Sequence, residues 1–247
     1  MRTELTGTVL ILVLAAVACS SDDATSGTTA VAETSTSTTA VADTVADASC
    51  FSCLPAGPFT SFGFVPELTI TIPDDGWQIG EDTSAEVKMN LVDDPDEELK
   101  FLPQPIPVTN LDQEVVEGIE PTPDGLVAWL QSNPDLVVGE PIPRTIAGDI
   151  EATAVDVSVA PTAENGDPGC PPGLEPCVNF FAFVGPDYDF GLAIASQQTV
   201  RLIFAPVTVD GSPTTMLIVL DPGTPDRLEH LVAVTDPMLD ELVVAES

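Results

Sequence analysis

Residues 58–247 predict an α/β domain of the α+β kind, a mostly antiparallel β-sheet covered by helices on both faces. Three observations lead there. LTITI at 68–72 alternates apolar and polar side chains, the period of a half-buried strand. VNFFAFV (178–184), VRLIFA (200–205) and MLIVL (216–220) are apolar at successive positions, as strands are when both faces of their sheet are covered. Two segments open on the same Thr-Pro-Asp, at 122–124 and 224–226, and continue with helical apolar spacing.

The strands follow in order. Pro73-Asp74-Asp75-Gly76 is expected to turn Leu68–Ile72 back into Trp77-Gln78-Ile79. Val87, Met89 and Leu91 then point one way while Glu86, Lys88 and Asn90 point the other. Pro-rich connections fill 95–121. A second set begins at Leu136–Val138 and continues through Ile150–Val159, whose apolar parity shifts near Ala154-Val155 and suggests a bulge. Val178–Val184, Phe190–Ala195, Val200–Phe204 and Met216–Leu220 complete the sheet. Asp210-Gly211 marks a hairpin turn between the last two.

The helices supply the cover. In each, Thr is the expected cap, Pro takes the first helical position and Asp sits in the positive first turn. The first buries Leu126, Trp129 and Leu130 before Asn133-Pro134 stops it. The second buries Leu228, Leu231 and Val232, and a further turn holds Met238, Leu239 and Leu242.

Ahead of this domain the chain changes character. Val9–Ala18 is apolar throughout but far short of the roughly 20 residues that cross a bilayer. It suits the apolar core of a secretion signal, with Arg2 as the positive flank. Small residues lead into Cys19, and Ser20-Ser21-Asp22-Asp23 follow. The arrangement resembles a bacterial lipoprotein signal, in which 1–18 is removed and Cys19 is lipidated. The resemblance implies an exported protein, held to the bacterial membrane or envelope by acyl chains and facing outside the cytoplasm. From Cys19 to residue 57 the expectation is a disordered tether. Residues 20–49 hold 14 Ser or Thr and no aromatic residue, too little apolar surface to offset the entropy of ordering.

Composition excludes several functions. Six Lys plus Arg face 40 Asp plus Glu, a formal net charge of −34. Such a surface repels nucleic acid and anionic lipid, so no nucleic-acid partner is expected. It suits salty surroundings, and it would attract a partner with a basic surface or a divalent cation. Four cysteines remain after Cys19: Cys50, Cys53, Cys170 and Cys177. Outside the cytoplasm these read as disulfides, with three connectivities open. The Pro- and Gly-rich loop CPPGLEPC favours Cys170 with Cys177. Cys50 and Cys53 then pair locally or reach across to the loop. CFSC precedes LPAGP and not a helix, which disfavours a redox pair, and the second pair is spaced too widely for a zinc knuckle.

Chemistry has few candidates. His230 is the sole histidine, expected on the exposed side of the last helix beside Asp226, one turn back. One histidine excludes a histidine-based zinc protease, and no nucleophile elbow or phosphate loop exists. No cofactor is implied. The acid run Asp93, Asp94, Asp96, Glu97 and Glu98 could offer calcium its oxygen ligands, although it lacks the spacing of the helix-loop-helix calcium site. Paired carboxylates for glycoside hydrolysis would want exposed aromatic residues, and both Trp fit the core.

PELTITIPDDGW, the mid-chain helix with its Trp, GDIEATAVDVSV, and IVLDPGTPDRLEHLVAVTDPMLDEL together resemble the PsbP-like fold. Within it they are similar to the lipidated bacterial lipoproteins of the LpqN type. The resemblance covers most of 60–245. It implies an antiparallel sheet between helices, an α/β/α sandwich, and an accessory, binding or assembly role without catalysis. No ligand residues carry over. Residues 95–121 and the CPPGLEPC loop depart from the compact pattern, and a partner site is expected near them. The reading is a membrane-anchored envelope lipoprotein whose domain binds or scaffolds another envelope component. Its alternative is a small-ligand or divalent-cation module.

Overall fold

A computed structural model describes residues 52–166, 170–185 and 189–245. Cys19, the segment 20–49 and Cys50 lie outside the described residues. In chain order the first strands are β1 (Cys53–Leu54), β2 (Gly57–Thr60), β3 (Leu68–Ile72), β4 (Trp77–Asp82), β5 (Val87–Leu91), β6 (Glu98–Leu102) and β7 (Ile106–Pro107). Helix α1 (Pro123–Ser132) leads to β8 (Leu136–Val138), β9 (Ile142–Ile146), β10 (Ile150–Val159), β11 (Cys177–Val184) and β12 (Asp189–Ala195). The long hairpin β13 (Thr199–Val209) and β14 (Ser212–Asp221) precedes a 3₁₀ turn, Pro225–Arg227. Helix α2 (Leu228–Asp240) and β15 (Val243–Val244) close the chain.

Every strand pairing among the described residues is antiparallel. The main sheet runs β1-β4-β5-β6-β14-β13-β10-β8, with β9 also paired to β10. Two three-stranded sheets, β12-β11-β7 and β15-β3-β2, complete the fold. The centre is the β13–β14 hairpin, closed at Asp210 and Gly211, both of positive φ, as a two-residue turn between right-twisted strands requires.

Period-two alternation divides the hairpin between two apolar clusters. Ile203, Ala205, Ile218 and Leu220 join β3, Trp77 and the buried side of α2, with Leu228, Leu231, Met238 and Leu239. Leu202, Phe204, Leu217 and Val219 join α1 through Leu126, Trp129 and Leu130, together with β11. In the second cluster Phe181 is the hinge of an aromatic group. Its ring lies 5.2 Å from Trp129, 5.2 Å from Phe180 and 6.0 Å from Phe204, tilted or edge-on as ring quadrupoles prefer.

Several sequence expectations change. Asp74–Gly76 does not fold β3 back on β4: β3 pairs with β2 and β15, and β4 with β1 and β5. The segment instead passes the chain from one sheet to another. No bulge interrupts β10, whose register with β13 runs unbroken from Thr153 to Ser158. Its parity changes because Ala152 and Ala154 face the first cluster while Val155, Val157 and Val159 face the second. VNFFAFV is buried on both faces, but as the centre of the small sheet and not within the main one. The boundary at 57/58 falls inside paired structure, since Cys53 and Leu54 already pair with Gln78 and Trp77.

The helices start differently from each other. Thr122 accepts a hydrogen bond from the Gly125 N–H at 3.2 Å, the expected cap. Thr224 makes no such bond, and Pro225–Arg227 form a tighter turn ahead of α2. Truncating Phe181 to Ala removes three ring contacts from a fully buried position and should cost about 3–5 kcal/mol. Urea unfolding would measure it. A cost below about 1 kcal/mol would mean that the aromatic group is not what joins α1 to the sheet.

Candidate functional site

Between β5 and β6 the chain makes the tight acidic turn that the sequence offers as a calcium site. Asp94, Asp96 and Glu98 line one cavity of about 380 Å³ with Asp221 and Arg227. Among the described residues no three His, Cys, Asp or Glu are arranged to hold a metal ion. Glu97 turns inward and is fully buried, accepting bonds from Arg227 Nε and Nη2, with His230 Nδ1 at 3.0 Å. Asp94 lies 3.3 Å from Arg227 Nη2. Glu98 pairs with Lys100 and accepts from Asn90 Nδ2 at 3.2 Å. Asp93 and Asp94 border a cavity shared with Asp74 and His230, and Asp96 lies against Gly223. Glu97 and Asp94 thus pair with Arg227, and Glu98 with Lys100. Strand alternation sends Glu97 and Glu98 to opposite sides.

His230 has Glu97 as its partner, not Asp226. A carboxylate only accepts, so Nδ1 of this half-exposed ring carries the hydrogen. The adjoining cavity of about 470 Å³ is lined by Trp77, Asp93, Arg227, Val234 and neighbours, and includes no Ser, Thr or Cys. The carboxylates of Asp74, Asp93 and Asp94 share that cavity with His230. The cluster fastens the start of α2 to the β5–β6 turn. Farther along, Arg144 lies 2.7 Å from Asp236, and Arg201 binds Asp156 at 2.7 Å and reaches Glu229 at 3.5 Å. That Asp156 hydrogen bond, opposed by burial, holds the Arg201 guanidinium above its ordinary pKa.

Three other groups are shifted, two of them by burial. Burial raises the Asp221 carboxyl above its ordinary range, against the opposing pull of Lys100 and the Gly223 N–H. It raises Glu86 likewise, against Lys100 and Lys88. Burial alone would lower Lys100, but Glu98 and Asp221 outweigh it and its pKa stands above the ordinary value.

The sequence-expected disulfide joins Cys170 to Cys177, with Cα atoms 5.7 Å apart. It closes the CPPGLEPC loop at the start of β11. Cys53 is also disulfide-bonded.

A different feature was not visible in the sequence. β10 pairs with β13 only as far as Phe204, and β6 with β14 only as far as Leu217. Beyond these points the hairpin from Ala205 to Met216 projects as a two-stranded ribbon. The loop between β2 and β3 folds against it, anchored by buried Phe64 and closed by Leu68 N–H to Ser61 Oγ at 2.9 Å. Between loop and ribbon lies a groove of about 440 Å³. Val65, Pro66, Pro103, Val207, Val209 and Met216 make it apolar, and Ser84, Gln104 and the 212–215 hydroxyls supply its polar edge. No lining residue is charged, on a molecule of net charge −34. Val65 is 49% exposed and nearby Phe62 is 86% exposed. Pro103 and Gln104 belong to the Pro-rich stretch where the sequence places a partner site. The CPPGLEPC loop does not line the groove.

No protein-family model matches the chain, and no curated protein matches it. Among solved structures, LpqN, involved in cell envelope biogenesis of Mycobacterium tuberculosis, is similar over 76% of this chain and 89% of its own. The identity is 12% and the TM-score 0.38. Cyanobacterial PsbP from Synechocystis is similar over 80% of this chain and 98% of its own, at 13% identity and a TM-score of 0.37. Both names coincide with the resemblance drawn from the sequence. At this level the likeness transfers no residue role.

Two predictions follow the ion pairs. Arg227→Ala leaves buried Glu97 with His230 alone and should cost about 3 kcal/mol or more. Glu97→Gln leaves Arg227 free to turn to water from a 41% exposed position and should cost less. Urea unfolding of both variants checks the order, and the reverse order would refute it. For Asp221, the unfolded chain loses its proton at lower pH than the fold does. Its contribution to stability is therefore present at low pH and declines as pH rises through the raised value. Asp221→Asn should accordingly compare better with the parent at pH 7 than at pH 3.5. A pH-independent difference would mean that the carboxyl is not shifted.

Proposed function

We propose that this chain is a membrane-anchored cell-envelope lipoprotein with a non-catalytic binding or scaffolding domain, and that the groove beside the β13–β14 ribbon is its binding site. The observation that carries the reading is the absence of charge from an open apolar groove on a strongly acidic surface. Exposed apolar surface of this kind is kept where it is covered by something else. The α/β/α reading agrees with the division of the hairpin between a cluster containing α1 and one containing α2. The anchor rests on VLAAVAC with its acidic continuation. No helix among the described residues is long and apolar enough to cross a membrane.

Two measurements test the proposal. Expressed in a bacterium that processes lipoproteins, the full chain should take up labelled palmitate and enter the detergent phase. Cys19→Ser should do neither. Purified full chain should bind the neutral apolar dye Nile red, and Val65→Glu, at a half-exposed position, should abolish binding without lowering stability. Palmitate uptake independent of Cys19 would overturn the anchor. Dye binding unchanged by Val65→Glu would overturn the groove.

A further inference from the structure

The groove's surroundings specify its guest more narrowly. Within two residues of its lining in sequence stand Glu67, Asp82, Glu86 and Asp210, and no Lys or Arg. Glu67 and Asp210 are exposed. Asp82 holds the loop by accepting the Phe62 N–H at 2.9 Å. The chain thus passes directly from the apolar floor into an exposed acid on the loop side, Pro66 into Glu67, and at the hairpin tip, Val209 into Asp210. Of the described cations, Lys100, Arg144, Arg201 and Arg227 hold carboxylates of the fold, and Lys88 acts with Lys100 on Glu86.

The ribbon also limits how anything can bind. Pro206 and Pro213 lie on its two strands, opposite Thr215 and Thr208. Proline has no N–H to give a neighbouring strand, which weakens both edges as templates for strand addition. Recognition therefore falls to side chains entering the groove. Its volume is at the small end of the roughly 300–1,000 Å³ range of ligand sites, room for a few aliphatic side chains.

Resting on the binding-domain reading above, we propose that the groove docks a peptide segment of a partner protein, with an apolar core that fills the floor and Lys or Arg on its flanks that meet Glu67, Asp82 and Asp210. Charge complementarity selects this guest. A second copy would bring its own acids against these, and the prolines remove edge-to-edge pairing as a means of overcoming the repulsion. An anionic lipid surface meets the same repulsion.

The test uses the full chain carrying Cys19→Ser, so that no acyl chain competes. Calorimetry compares synthetic peptides with one Leu- and Val-containing core and either Lys or Glu on both flanks. At low salt the Lys-flanked peptide should bind about tenfold tighter or more, and raising sodium chloride to about 0.5 M should erase most of the difference. Val65→Glu should abolish binding of both. Glu67→Lys with Asp210→Asn, both at exposed positions, should bring the two affinities together while the melting temperature and Nile red binding stay unchanged. Equal affinities in the parent chain would overturn the basic flanks and leave the groove standing if Nile red still binds. Laurate binding with no peptide binding would replace the peptide by an acyl chain. Self-association removed by Val65→Glu would replace it by a second copy. Loss of every ligand, Nile red included, would overturn the groove itself.

Discussion

The fold depends on one hairpin having no solvent face over most of its length. β13 and β14 send alternate side chains into two apolar clusters, so each must be apolar at successive positions, and each cluster requires its own helix and its own small sheet. α1 and β11 belong to one cluster, α2 and β3 to the other. Neither set could persist without the hairpin between them, since a helix or a three-stranded sheet alone leaves its apolar face in water. Where the neighbouring strands end and the hairpin continues, Ala205, Val207 and Met216 stay buried in the first cluster while Val209 is only partly covered. The groove is what remains of a two-faced strand after its sheet has stopped.

Charge is organised around the same frame. A chain this acidic has few cations with which to neutralise buried carboxylates, and it places Arg144, Arg201 and Arg227 along α2, where each ties the helix to the sheet or its turns. The pair that matters most is Glu97 with Arg227, because Glu97 is fully buried and cannot be left to water. Guanidinium suits these places better than ammonium does. Its fork satisfies two oxygens at once, as Arg201 does with Asp156 through bonds of 2.7 and 2.9 Å.

Elements with their own local signal were legible in the sequence. LTITI, the long strand 150–159, the Asp210-Gly211 turn and the Thr122 cap appear where periodicity and turn chemistry put them. β6 was not legible. ELKFL sits between an acid run and three prolines, and it is a strand because β5 and β14 pair with it, a tertiary cause that leaves little local trace. Pairing choices failed for the same reason: Asp74–Gly76 has the composition of a hairpin turn but connects two sheets. At the candidate site, His230 was expected on the exposed side of α2, and the sequence gives no sign that Glu97, 133 positions earlier, is its partner. The groove itself arises from unequal strand lengths, which no window of sequence records.

The inward placement of the cations has a consequence beyond stability. Arg144, Arg201 and Lys100 are mostly buried, so the exterior is dominated by a single sign of charge. Neighbouring copies of such a molecule repel over about a Debye length, ~8 Å at physiological ionic strength. A crowded layer of them is self-spacing. It resists clustering through its counterion atmosphere, with no lateral contact needed to set the distance between one domain and the next.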